Sequence, residues 1–228
     1  MSDEKKRNKY RRSFPEEEKA SPWMSDLLDC HALVDEGVAV AVERREKEEG
    51  AALACRRGCD SCCRTQRDIP VYPHEIMGIY WYCVEKIKQP TREVLRHQFT
   101  GHGPDDPCPF LMSGACAIHP LRPAGCRQFN VFGRPCEEGE DPFHSRRDDV
   151  LTPLREYTHR AFSRVLSLYG AGKKEDSPAD LVEKVIRTQV VNLQTYDWKK
   201  LAARMKEHDA MKKRPSPSRP DEGGEGPG

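Results

Sequence analysis

Eight cysteines between residues 55 and 136 could do chemistry by their type and spacing. Four are crowded into the segment Cys55-Arg-Arg-Gly-Cys59-Asp-Ser-Cys62-Cys63, and four are more widely spaced, at Cys108, Cys116, Cys126 and Cys136. Zinc and iron both accept thiolate ligands, usually four in a tetrahedral array. A spacing such as Cys59-x-x-Cys62 lets one tight loop give two sulfurs to one ion. The sequence therefore predicts a metal site built from all eight cysteines.

The adjacent pair Cys62-Cys63 bears on the number of metal ions. Side chains of neighbouring residues diverge, so one ion is awkward for both. This favours two metal positions close together, each drawing sulfurs from both halves of the region, or one ligand left over for chemistry. Metal binding would then be part of folding, at a scale of about 10 kcal/mol or more for a structural zinc. Zinc, iron and an iron–sulfur cluster are all compatible with thiolate ligands.

Basic residues next to the cysteines could offset the negative charge of the thiolates by donating N–H groups to sulfur. They are Arg56, Arg57, Arg64, Arg122 and Arg127. His119 is an additional candidate ligand, but eight sulfurs suffice for two sites, so we expect it to be structural. His74, His102 and His144 have no partner at a telling spacing, and we expect them at the surface.

A disulfide scaffold is the main alternative for so many cysteines, but it requires an oxidising compartment. Arg11-Arg12-Ser13-Phe14 resembles half of a twin-arginine export signal, yet Pro15 and three glutamates follow it instead of an apolar stretch. The sequence also lacks a run of about 18 apolar residues, so we expect no membrane span. We therefore expect a cytoplasmic protein with reduced, metal-binding thiols.

The composition is poor in apolar residues, with 36% hydrophobic and 33% charged residues. Part of the chain should therefore be solvated tail. We divide it into a disordered charged N-terminus (1–20), an N-terminal helix (21–54), a cysteine-cluster metal-binding domain (55–136), a C-terminal helical extension (137–212) and a disordered tail (213–228).

Apolar residues recur at helical spacing on both sides of the cysteine segments. The pattern predicts helices over 22–49 and 73–88, a shorter one around Leu95, and others over 151–168, after Pro178 and after Thr195. Cys30 and Cys83 lie on or beside apolar stripes, where cysteine behaves as a small hydrophobe, so we expect both to be buried. Ser113-Gly114 predicts the turn of a β-hairpin. The expected fold is mainly α with a small β-hairpin, and its metal-organised cysteine-cluster core is surrounded by helices.

Two linked motifs resemble a known family. They are Cys55…Cys59-x-x-Cys62-Cys63 and Cys108-Pro-Phe-Leu…Cys116-Ala-Ile-His119-Pro-Leu-Arg122-Pro-x-x-Cys126-Arg127-x-Phe129. Together they are similar to the YkgJ-type cysteine-cluster family, also called the CxxCxxCC or zinc- or iron-chelating domain. The first gap is one residue longer than in the family, and His119 replaces a common tyrosine. The resemblance implies metal binding, and members are often labelled iron–sulfur oxidoreductases.

Three functions fit these observations, and metal ions are the expected partners in all of them. The first is a metal-binding protein whose zinc or iron is structural or stored. The second is an iron–sulfur or iron-dependent oxidoreductase or modification enzyme, which needs an open coordination position. The third, a zinc-dependent nucleic-acid-binding module, is least favoured. The formal net charge is only +1 and no finger spacing occurs, although residues 199–214 are basic.

Overall fold

The computed structural model of the protein describes residues 9–170 and 177–213. This part of the chain is mostly helical, as predicted. Its α-helices are α1 (Pro15–Ala20), α2 (Pro22–Glu48), α3 (Ser61–Thr65), α4 (Pro73–Trp81), α5 (Thr91–Gly101), α6 (Ala124–Gln128), α7 (Pro142–Ser145), α8 (Arg155–Val165), α9 (Pro178–Thr188) and α10 (Lys199–Lys212). Its strands are β1 (Pro70–Val71), β2 (Leu111–Met112), β3 (Ala115–Cys116) and β4 (Val191–Asn192).

The long helix α2 confirms the helix predicted after Pro22. Leu27, Val34 and Ala41 are buried along it, as the apolar spacing predicted. Helix α8 packs closely against α2 at Gly37, where an added Cβ would stand 2.5 Å from Cβ of Tyr157. Only glycine permits this approach without a shift of the backbone. The two helices therefore form one wall of the molecule.

The main apolar core joins the cysteine region to the C-terminal helix α10. Ile79, Phe110, Trp198, Leu201 and Met205 are all buried in one cluster. Helix α4 continues into a π-helical turn over 82–86, and helix α10 packs against this turn and against α5. Helix α10 is thus integral to the core that supports the cysteines.

The predicted hairpin is present as β2 and β3, with Leu111 opposite Cys116 and Met112 opposite Ala115. Its turn residues, Ser113 and Gly114, have φ values of 47° and 78°. Two successive positive φ values are typical of a type I′ turn, whose twist matches that of paired strands. Turn chemistry therefore fixes the register that places Cys116.

A second small sheet pairs β1 with β4 and was not predicted. Pro70 lies opposite Asn192, and Val71 lies opposite Val191. The side chain of Asn192 extends this pairing by donating to the carbonyl oxygen of Arg67 at 2.8 Å. The sheet ties the segment before α10 to the segment that follows the first four cysteines.

The prediction of disorder over 1–20 is wrong for its last residues, which form α1 over Pro15–Ala20. Arg11 lies between Glu18 and Asp29, at 2.6 Å and 2.5 Å, and Lys86 pairs with Glu17. These ion pairs hold a charged segment that its composition alone would leave solvated. The rest of the predicted disorder, residues 1–8 and 214–228, lies outside the described residues. Among the helices of residues 9–170 and 177–213, none has both the length and the apolar character that a bilayer span needs.

Candidate metal centre

All ten cysteines lie in the part of the chain that the structure describes, and each is a free thiol. Cys30 and Cys83 are fully buried among apolar side chains, so their predicted place in the core is confirmed. The remaining eight are the predicted ligands. They fall into two neighbouring groups.

The inner group consists of Cys62, Cys63, Cys108, Cys116 and Cys126. Cys62 and Cys63 lie on the short helix α3, and the backbone N–H of Cys108 donates to the carbonyl oxygen of Cys63 at 2.7 Å. The thiols of Cys62 and Cys108 both act on the pKa of the Cys63 thiol. Cys108 is buried in the main core, and Cys63, Cys116 and Cys126 pack against the same core. Four of the five sulfurs therefore lie along one edge of the apolar interior.

The outer group consists of Cys55, Cys59 and Cys136. The backbone N–H of Ala54 donates to the carbonyl oxygen of Val131 at 2.8 Å, and the N–H of Val131 lies 3.3 Å from the Cys55 sulfur. This pairing carries the Cys55 segment alongside the chain that leads to Cys136. The charges of Cys55 and Cys59 both act to raise the pKa of Cys136, and the charge of Cys62 acts to raise that of Cys55. Cys59 is exposed and the other two are partly buried.

Burial disfavours the thiolate form in both groups. Burial raises the pKa of Cys55, Cys116 and Cys136, and raises that of Cys126 well above its usual range. The thiol of Cys108 is the largest cause that raises the pKa of Cys63 to about 12. A bound divalent cation reverses this preference, because a coordinated thiol loses its proton.

The present side-chain orientations do not form a finished coordination sphere. Across residues 9–170 and 177–213, no three His, Cys, Asp or Glu side chains converge closely enough to hold one ion. The thiols instead donate to or accept from nearby groups, as Cys55 accepts from Val131. Cysteine moves its sulfur among three staggered χ1 rotamers, so convergence on an ion requires side-chain rotation. Backbone hydrogen bonds already hold the cysteine-containing segments next to one another.

Arg122 fits the charge of a metal–thiolate centre. Its Nε atom is buried and has no hydrogen-bond partner in the described part of the chain. Its positive charge acts to lower the pKa of Cys55, Cys62, Cys116 and Cys126, against the larger effect of burial or of a neighbouring thiol. An orphaned N–H donor beside several sulfurs suits thiolates that carry negative charge.

The other predicted arginines have different roles. Arg127 is buried and donates to Asp35 at 2.6 Å and to the carbonyl oxygens of Pro120 and Arg122, both at 2.8 Å. It therefore braces the loop before α6, and none of its hydrogen bonds goes to sulfur. Arg64 pairs with Asp60 at 2.5 Å. Arg56 and Arg57 are exposed.

Arg146 is a sulfur neighbour that the sequence analysis missed. Its Nη2 atom lies 3.8 Å from the Cys136 sulfur, and it also pairs with Glu140 at 2.8 Å and with Asp149 at 2.9 Å. The hydrogen bond from Arg146 lowers the pKa of Glu140 to about 2. Arg146 is not adjacent to any cysteine in the sequence, and it lies beyond the predicted 55–136 domain. Only its place in the fold reveals it.

The histidines differ from prediction at one position. His74 is buried, with 1% of its surface exposed, so the prediction that it lies at the surface is wrong. Its Nδ1 atom pairs with the Tyr169 hydroxyl, and burial lowers the pKa of His74 to about 3. His144 is exposed, as predicted, and His102 is partly buried beside the carbonyl oxygen of Gln194 at 3.0 Å. His119 is exposed at the start of a 3₁₀ turn.

Glu75 holds the start of the helix that carries Cys126. Its fully buried carboxylate accepts from the backbone N–H of Ala124 at 2.6 Å and from that of Tyr72 at 3.0 Å. Burial raises the pKa of Glu75 to about 7, against the lowering effect of these two donors. Glu75 thus links α4 to the first residue of α6, the helix that contains Cys126.

A cavity of about 450 Å³ is lined by residues that adjoin the inner group in the chain, although no cysteine lines it. Arg64 and Pro107, which are next to Cys63 and Cys108 in the chain, form part of its wall. His97, Gln98 and Leu111 form another part. The side-chain amide of Gln98 donates to the carbonyl oxygen of Leu111 at 3.1 Å, which fixes the hairpin against α5.

Comparison with known proteins bears on this centre directly. The family model described as "Putative zinc- or iron-chelating domain", abbreviated CxxCxxCC, matches residues 54–149. The match spans all eight predicted ligands and also Arg146. Comparisons with curated proteins and with solved structures give no match. The resemblance seen in the sequence is therefore confirmed, because residues 54–149 match the model of the CxxCxxCC zinc- or iron-chelating domain family.

Proposed function

We propose that this protein chelates zinc or iron through cysteine thiolates and retains the metal in a structural or storage role. The ligands are Cys55, Cys59, Cys62, Cys63, Cys108, Cys116, Cys126 and Cys136. The observation that carries the proposal is the backbone contact between Cys63 and Cys108, which brings the two cysteine-rich segments together at 2.7 Å. The family match to a chelating domain supports the same chemistry.

The charge around the thiols supports the proposal further. Cation-bound thiolates leave excess negative charge, and Arg122 offers an unpartnered N–H among them. Coordination would close the chain between α3 and α6, so the metal would stabilise the fold as well as occupy the site. Because these thiols must remain reduced to bind metal, we also propose a cytoplasmic location.

A second candidate function is an iron–sulfur or iron-dependent oxidoreductase or modification enzyme. The cavity lined by Arg64 and Pro107, the chain neighbours of Cys63 and Cys108, favours it, because catalysis needs room for a substrate near the metal. Retention of metal without turnover needs no such cavity. Iron in the isolated protein is a requirement of this candidate.

Elemental analysis of anaerobically purified protein, with its visible spectrum, tests both candidates. We expect stoichiometric zinc or iron that a chelator removes with the appearance of titratable thiols. Brown colour that bleaches on reduction indicates an iron–sulfur cluster and favours the enzyme, whereas a colourless zinc protein favours the structural role. Protein that holds neither metal after expression with each would contradict the proposal.

A further inference from the structure

We propose that the cavity lined by the end of α5, the loop that follows it and the β2–β3 hairpin binds a free amino acid. The site recognises the ammonium group and the carboxylate group of one small zwitterion. This inference goes beyond the proposed function, because no cysteine lines the cavity and its ligand needs no metal. It rests on the charges in the wall of the cavity, on the hydrogen bonds that hold this wall and on the size of the space.

The wall of the cavity contains a cation and an anion, Arg64 and Asp106, that do not pair with each other. The guanidinium of Arg67 donates to the carbonyl oxygen of Arg64 at 3.2 Å and to that of Asp106 at 3.1 Å. The backbones that carry the two charges are therefore held next to each other. Among the described residues, Arg64 pairs only with Asp60, and the Asp106 carboxylate pairs with no cation. A ligand with one group of each charge can satisfy both residues.

The part of the wall that includes Asp106 is rich in hydrogen-bond acceptors. The backbone N–H of Gly103 donates to Oδ2 of Asp106 at 2.8 Å, which leaves Oδ1 of the carboxylate for a ligand. Nε2 of His102 lies 3.0 Å from the carbonyl oxygen of Gln194 and must carry the ring proton, so Nδ1 of the neutral ring is an acceptor. The last turn of α5 also lines the cavity, and the C-terminal end of a helix carries partial negative charge. These groups suit an ammonium ion, which has only donors.

Arg64 and the hairpin turn supply donors to the same cavity. The Nη2 atom of Arg64 donates to Asp60 at 2.5 Å, and in the described part of the chain the other N–H groups of this guanidinium have no hydrogen-bond partner. The hydroxyl of Ser113, in the turn between β2 and β3, also lines the cavity. Guanidinium groups bind carboxylates through charge-assisted hydrogen bonds, so Arg64 suits the carboxylate of the zwitterion.

The cavity has fixed walls and the size of a small-molecule site. The side-chain amide of Gln98 donates to the carbonyl oxygens of Cys108 at 3.4 Å and of Leu111 at 3.1 Å, which ties α5 to the hairpin. Walls that are already in place lower the entropic cost of binding. The volume of about 450 Å³ falls within the range of about 300 to 1,000 Å³ that is usual for ligand pockets. Leu111 and Pro107 add apolar surface for the side chain of an amino acid.

Isothermal titration calorimetry of the full chain with individual free amino acids tests the inference. We expect binding of at least one of them, and Arg64→Gln and Asp106→Asn should each lower its affinity by about 10-fold or more, because each removes a charged partner. The asparagine carbonyl can still accept from Gly103, so the loop and the melting temperature should persist. Arg57→Gln and Asp105→Asn, exposed changes outside the cavity, should bind as the wild type does.

Derivatives of the bound amino acid assign each of its charges to a partner. The N-acetylated compound has lost the ammonium charge, so it should bind weakly and equally to the wild type and to Asp106→Asn. The amide of the carboxylate should bind weakly and equally to the wild type and to Arg64→Gln. Binding that neither variant weakens would overturn the site, as would the absence of binding by every common amino acid at millimolar concentration. Binding of short peptides without binding of free amino acids would overturn the assignment of the ligand.

Discussion

The backbone N–H of Cys108 donates to the carbonyl oxygen of Cys63 at 2.7 Å, across the segment that contains α4 and α5. The side-chain amide of Gln98 donates to the carbonyl oxygen of Cys108 from the other side, at 3.4 Å. These contacts fix the two cysteine-rich segments relative to each other through the main chain. Because the main chain already holds these two segments together, metal binding has less of the chain to order, which lowers its entropic cost.

Cys126→Ser should lower the metal content and the thermal stability together. Cys126 packs against the main core, so its loss removes an inner ligand that the neighbouring thiols cannot replace without movement. A structural zinc contributes about 10 kcal/mol or more to folding, and even a partial loss would lower the melting temperature clearly. Elemental analysis and thermal unfolding of the same preparation measure both effects.

Cys83→Ala is the matched control for Cys126→Ser, because Cys83 is a fully buried cysteine outside the two groups. It should cost about 1 to 2 kcal/mol through lost packing and leave the metal content unchanged. If Cys126→Ser retains its full metal content, Cys126 is not a ligand. If Cys83→Ala loses metal, the effect of Cys126→Ser cannot be assigned to coordination.

Features decided by local sequence could be predicted. Helix α2 follows from the spacing of its apolar residues, and the hairpin follows from the turn chemistry of Ser113-Gly114. The sheet of β1 and β4 could not be predicted, because each strand has two residues and its partner is remote in the chain. Helix α1 was not predicted because ion pairs with remote residues, such as that of Arg11 with Asp29, hold its segment in place.

The candidate site shows the same division. Cysteine spacing predicted which residues belong to the site, and all eight lie within residues 54–149, which the family model matches. The grouping of Cys55 with Cys136 depends on backbone pairing between Ala54 and Val131, which no spacing encodes. His74 was placed wrongly because its burial is set by tertiary contacts with Tyr169 and Phe162.

Glu75→Gln should change how stability depends on pH. Burial raises the pKa of Glu75 from 4.5 to about 7, so the folded protein binds this proton more tightly than the unfolded chain does. Its contribution is fully present below the unfolded pKa and is lost as pH rises through the folded pKa. From about pH 5 to about pH 8, wild-type protein should lose on the order of 2 kcal/mol more than Glu75→Gln.

Urea unfolding of metal-loaded wild type and Glu75→Gln at both pH values measures this difference. The glutamine carbonyl can still accept from the N–H of Ala124, so α6 should keep its start. For each protein we compare the change in the free energy of unfolding between the two pH values. This difference does not contain the pH-independent loss of stability that the substitution itself causes. Parallel pH profiles for the two proteins would show that Glu75 titrates alike in the folded and unfolded states.

Arg92→Ala should detach α10 from the core. The buried guanidinium donates to the carbonyl oxygen of Cys83 at 2.7 Å and to that of Met205 at 3.2 Å, and pairs with Asp209 at 2.8 Å. Removal of one partner of a buried charged network typically costs about 3 to 5 kcal/mol. Hydrogen exchange of the α10 amides and urea unfolding should both report the loss.

Arg96→Ala is the control for Arg92→Ala, because Arg96 pairs with the same Asp209 at 3.5 Å from a more exposed position. An exposed ion pair of this kind is worth about 0 to 1 kcal/mol. Equal losses of stability in the two variants would mean that the backbone contacts of Arg92 contribute little.

Arg122→Met should weaken metal binding while the fold persists. Arg122 lowers the pKa of Cys62, Cys116 and Cys126, so its loss makes protons compete better for these sulfurs. We expect an affinity about 10- to 100-fold lower in a chelator competition, and half-maximal binding at a higher pH. Arg122→Lys, which keeps the charge, should lie between Arg122→Met and the wild type, and the exposed change Arg57→Met should match the wild type. Unchanged affinity and an unchanged pH of half-maximal binding in Arg122→Met would show that the buried Nε atom does not serve the thiolates.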